Sequence, residues 1–126
     1  MTVMGAINHL NAVKPNSYGQ AEKIKWLSTL DGIIKAEIID THEGASEVAK
    51  TFSGYNDSSL VKTLIVEHPY DDIYIKWLEA QIDYANGEYG KYNNSIAMFN
   101  TAYEAYAKYY NRTHMPISKV NGYTNI

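Results

Sequence analysis

The chain has 126 residues, 45% hydrophobic and 20% charged, which is the balance of one soluble globular domain with a modest core. Its net charge of -3 gives no bulk attraction to nucleic acid or anionic membrane, and without cysteine it has no disulfide, thiolate metal site or cysteine nucleophile. The N-terminus lacks a basic stretch followed by an apolar one, and no apolar run approaches membrane-spanning length, so a cytoplasmic chain without membrane contact is expected. Twelve tyrosines stand against a single arginine. An AT-rich coding sequence explains that bias, and so do interfaces, where tyrosine brings large contact area at low entropic cost.

The apolar spacing predicts a mainly α fold: a small bundle of about four helices over residues 3–13, 18–39, 70–86 and 88–112. Thr2 caps the first helix, whose apolar side is Val3, Met4, Ile7, Leu10 and Val13, and Pro15 ends it. Ser17 and Gln20 have the spacing of a reciprocal capping box for the second helix. Its core face is Ile24, Leu27, Leu30, Ile34 and Ile38, with Trp26 and Ile33 widening the stripe. Gly32 in its middle implies either another backbone passing close by or a mild kink.

Residues 40–68 form a long connection of Thr, Ser, Gly, Asn and charged residues, and such loops are usually functional or mobile. Within it, Leu60–Val66 is a β-favouring run that pairs with Thr51–Tyr55 as a short β-hairpin around Asn56–Ser59. Asp71 and Asp72 then supply the negative charge that a helix N-terminus favours. Tyr74, Trp77, Leu78, Ile82 and Ala85 recur at helical spacing, and Asn86-Gly87 is a helix stop. Beyond it Tyr92, Ile96, Phe99, Tyr103, Tyr106 and Tyr110 step by four and three, a seam that must face something. An antiparallel hairpin is expected, because one continuous kinked helix would approach about 60 Å. Tyr84–Tyr89 also looks like the turn of a tetratricopeptide hairpin, although no second copy is present. Residues 113–126 lack periodicity and are expected to form an extended C-terminal arm beyond the 1–112 bundle.

No catalytic pattern stands out. The four histidines are scattered and lack zinc spacing, and there is no glycine-rich phosphate loop or nucleophile elbow. Asp40, His42 and Glu43 offer three metal ligands in one polar loop, but a solvated surface accounts for them better. The expectation is a non-enzymatic binding or structural protein without cofactor. Between Glu67 and Glu88 six acids face Lys76 alone, whereas from Lys91 onward four cations face Glu104 alone. Adjacent copies can therefore dock head to tail, unless each helix simply carries the charge its terminus prefers.

The run Leu64–Tyr74 with Trp77–Tyr89, the continuation Tyr92–Asn100 and the ending Tyr109–Pro116 resemble head-tail connector (adaptor, or head completion) proteins of tailed phages and prophages of Gram-positive bacteria. The match covers roughly the C-terminal half, while the N-terminal helices agree only in layout, around Leu30-Asp31. The resemblance implies a virion neck protein, assembled in the host cytoplasm, that binds the portal as a twelve-fold ring of its own copies. Such a ring extends the DNA channel, through which DNA passes without specific binding, and presents a platform to the stopper or next neck protein. Carried over, His114, Met115, Pro116, Ile117, Val120 and Tyr123 form the portal-contacting arm, and the 43–59 loop faces the channel or the stopper. Tyr103, Tyr106, Tyr109, Tyr110 and Arg112 form the seam between subunits. The competing reading is a small bacterial helical interaction module, a homodimer unrelated to virion assembly.

Overall fold

The computed structural model describes residues 1–117. It is a helical bundle: α1 (Val3–Val13), α2 (Gln20–Ile34), α3 (Glu47–Lys50), α4 (Ile73–Ala85) and α5 (Tyr89–Thr113). A π-helical turn, Lys35–Ile39, prolongs α2, and a 3-10 turn spans Asp57–Ser59. Among the described residues there is no β-strand; two isolated bridges join Thr2 to Thr63 and His42 to Pro116.

Thr2 caps α1 as expected, its Oγ1 accepting from the Gly5 amide at 3.0 Å. The expected capping box at Ser17 is absent. Helix α2 begins two residues later than the spacing suggests, with Gly19 at its N-cap and no side-chain cap. Asn16 takes the turn instead, accepting from the Tyr18 amide. The predicted core face of α2 is buried throughout: Ile24, Leu27, Leu30, Ile34 and Ile38 are all within 5% exposure. No atom lies within 4 Å of where a Cβ on Gly32 would sit, so close backbone approach is not its role. The irregularity comes just after it, where the Lys35 amide is shared between the carbonyls of Asp31 and Gly32 and the π-turn begins.

Helix α4 is the middle of the bundle, touching α1, α2 and α5. It starts at Ile73 rather than at residue 70, so Asp71 and Asp72 stand at its mouth and not inside its first turn. The hairpin is closed at Gly87, whose φ of +73° is left-handed and favours glycine. The Glu88 amide donates back to the Asp83 carbonyl across this turn. Ring pairs run in opposite order along the two helices, Tyr84 with Tyr92, Trp77 with Phe99 and Tyr70 with Tyr109, which makes α4 and α5 antiparallel. Near the turn, buried Asp83 pairs with Lys14 of α1 at 2.9 Å and accepts from Ser95 of α5, joining three helices.

The β-hairpin expected around Asn56–Ser59 does not form. Leu64, Ile65 and Val66 are buried as irregular chain, and their amides donate to the Met1 carbonyl, an Asp31 oxygen and the Tyr74 hydroxyl respectively. With every donor of the run already satisfied, a neighbouring strand is not needed.

Candidate functional site

Two features of the interior stand out chemically. The first is Asp31, on the core stripe of α2 and fully buried. Its Oδ1 accepts from the Tyr74 hydroxyl at 2.6 Å, and its Oδ2 accepts from the Tyr55 hydroxyl at 2.5 Å and the Ile65 amide at 3.1 Å. Tyr74 in turn accepts from the Val66 amide at 2.7 Å, so one carboxyl ties α2 to the long connection and to α4. Burial pushes the Asp31 carboxyl above its ordinary range, against the opposing pull of the Tyr55, Tyr74 and Ile65 donors. The same burial and the adjoining carboxylate push both tyrosine hydroxyls up. Each of its three partners is a donor, so the carboxyl ties three segments of the chain together.

The second is a cavity of about 290 Å³ at the far end of the hairpin, between the end of the π-turn, the 44–46 loop, the approach to α4 and the last turns of α5. Glu67, Tyr70, Tyr106, Tyr109, Tyr110 and His114 line it, with His68 and Ser46 at its margin. Tyr70 stacks on Tyr109 at 4.6 Å, and Tyr110 stacks on His114 at 3.7 Å while meeting the edge of His42 at 5.3 Å. The Tyr110 hydroxyl has no accessible surface and no hydrogen-bond partner among the described residues. Burial raises its pKa, with Asp40 and Glu67 adding to the shift, and the Tyr106 hydroxyl is raised by burial, Tyr110, Asp31 and Glu67. Because the hydroxyl makes no protein contact to lose, Tyr110→Phe is expected to unfold in urea at the wild-type midpoint or above it. A loss of more than about 1 kcal/mol would contradict this placement.

The residues expected to act at surfaces are distributed unevenly. Tyr106 and Tyr110, expected at a seam between subunits, are buried at 4% and 5% exposure in the chain's own core. Tyr103 and Tyr109 are half-buried, Tyr103 donating to Glu37 at 2.6 Å, and Arg112 is exposed. The helical seam of α5 thus faces α4 and the π-turn first, and only its flanks meet solvent. In the expected arm, α5 continues to Thr113, after which the chain docks on the turn after the π-helix. The Glu43 amide donates to the Met115 carbonyl at 2.7 Å and the Ile117 amide to the Thr41 carbonyl at 3.1 Å. His114 is half-buried and Pro116 exposed, while the side chain of Met115 points outward at 70% exposure. Val120 and Tyr123 lie outside the described residues.

Two of the three residues considered as metal ligands in the 40–43 loop, Asp40 and His42, are engaged elsewhere. Asp40 pairs with Lys35 at 2.8 Å, and both ring nitrogens of His42 are taken, Nδ1 by the Ile38 carbonyl at 2.8 Å and Nε2 by the side-chain oxygen Oδ1 of Asn111 at 3.0 Å. The acidic stretch is likewise partly neutralised within the chain, Asp72 by Lys76, Glu88 by Lys91 and Asp83 by Lys14. No helix among the described residues is long and apolar enough to cross a membrane. No family model, curated protein or solved structure matches the chain.

Sequence reasoning missed both Asp31 and the cavity. A carboxylate four residues after Leu27 and three before Ile34 sits in the middle of an apolar stripe, which is itself a signal for a buried polar hub. The cavity residues come from four segments far apart in sequence, around positions 39, 44–46, 65–70 and 106–114.

Proposed function

We propose that this chain is a structural head-tail connector protein, an adaptor that seats on a phage portal as a ring and offers a platform to the next neck component. One observation supports the reading: the runs resembling the connector family, Leu64–Tyr74, Trp77–Tyr89, Tyr92–Asn100 and Tyr109–Pro116, all fall within one continuous unit of the fold. That unit is the buried 64–66 segment, the antiparallel α4–α5 hairpin and the backbone-pinned residues after it. Its outer surface supports docking, since Tyr84, Tyr89, Met98 and Met115 are large apolar side chains left at 53% to 70% exposure. Met115 is the best-placed anchor, because its backbone is held by Glu43 while its side chain is free.

Binding of the full chain to immobilised portal protein tests this, with Met115→Asp as the control for the surface. The reading predicts saturable binding by the wild type and a loss of at least about tenfold in the variant, whose fold is unchanged by circular dichroism. No binding by the wild-type chain would reject it.

A further inference from the structure

We propose that the cavity between the 44–46 loop, the 67–70 turn and the end of α5 is a binding site for an organic cation, a guanidinium or primary ammonium group. This inference stands apart from the connector reading and would survive its failure. Four tyrosines, Tyr70, Tyr106, Tyr109 and Tyr110, contribute to the cavity wall. Tyrosine rings attract cations through their quadrupole, and the attraction grows where water is excluded. Glu67 supplies a carboxylate to the same wall, and no lysine or arginine lines it among the described residues. The fixed charge therefore favours a positive guest, and an anion would meet Glu67 with no permanent cation to offset it.

The Tyr110 hydroxyl is itself without accessible surface, so that residue contributes its ring and not its oxygen. At about 290 Å³ the space lies at the small end of ligand pockets, enough for an arginine- or lysine-sized group and too small for a nucleotide. The cation comes either from a partner protein's side chain or from a free amine, and the recognition chemistry is the same for both.

Amide NMR spectra of the full chain, titrated at about pH 8 where ordinary imidazole is neutral, test the assignment. The probes are N-acetyl-arginine amide, putrescine and the neutral isostere N-acetyl-citrulline amide. The expected result is saturable shifts around Glu67, Tyr106 and Tyr110 with a dissociation constant on the order of millimolar for the cations, and none for the citrulline compound. Glu67→Gln should weaken binding about tenfold, with the rest of the spectrum unchanged. Tighter binding of the arginine probe points to a protein side chain, and equal or tighter binding of putrescine to a free amine. The proposal is overturned if neither cation gives saturable shifts up to about 50 mM. Equal binding of the neutral isostere, or an unchanged affinity in Glu67→Gln, would also overturn it.

Discussion

Asp31→Ala is expected to destabilise the fold by about 4 kcal/mol, close to the whole stability of a small domain. The side chain is fully buried, and its removal strands three donors at once: the Tyr55 hydroxyl, the Tyr74 hydroxyl and the Ile65 amide. Each unsatisfied donor costs about 1–3 kcal/mol, partly relieved by relaxation around the gap. Tyr74→Phe should cost less, since Asp31 keeps two donors and only the Val66 amide is left without its acceptor. The two changes act on one network, so their combined effect in urea unfolding should fall short of the sum. The pH dependence has a definite sign. Burial raises the Asp31 carboxyl, so its contribution is full below the unfolded value of about 3.9 and is lost as pH rises through the higher folded value. The stability gap between wild type and Asp31→Ala should therefore narrow between about pH 4 and neutrality. A gap that widens with pH would mean that the three donors outweigh the cost of burying the charge.

Leu78→Ala should cost about 3 kcal/mol, within the range for a large aliphatic side chain truncated in a core. Leu78 has no exposed surface and sits at mid-length of α4, the helix that contacts α1, α2 and α5 together. A gap there cannot be filled by the shift of a single neighbour, because three helices would have to move at once. The same substitution at Met98, half-exposed on α5, should change the unfolding midpoint little. Comparable losses at the two positions would show that the hairpin, not the three-way junction at α4, is where the stability resides.

The hairpin was legible in the sequence because its signals are local: helical spacing on both sides and a glycine that takes positive φ between them. The core face of α2 was legible for the same reason. Other features depend on partners distant in sequence. The 64–66 run has β-branched and aliphatic residues and reads as a strand, yet its amides are satisfied by Met1, Asp31 and Tyr74. Nothing local reports that Asp31, more than thirty residues upstream, will supply the missing acceptor. The tyrosine seam of α5 was visible as a periodic pattern, but periodicity does not say whether its partner is another subunit or the chain itself. Tyr106 and Tyr110 pack inside, leaving Tyr103, Tyr109 and Arg112 nearer the surface. The cavity was least legible, since its wall comes from four separate segments and its one buried unpaired hydroxyl is a property of packing.

The claim that this chain works by contact, as a repeated block on a symmetric platform, is tested most directly by weighing it there. Light scattering of portal rings saturated with the 14.2 kDa chain should show a mass gain of one chain for each portal subunit. Portal particles that keep their own mass, beside a chain that remains separate at every ratio, would contradict it.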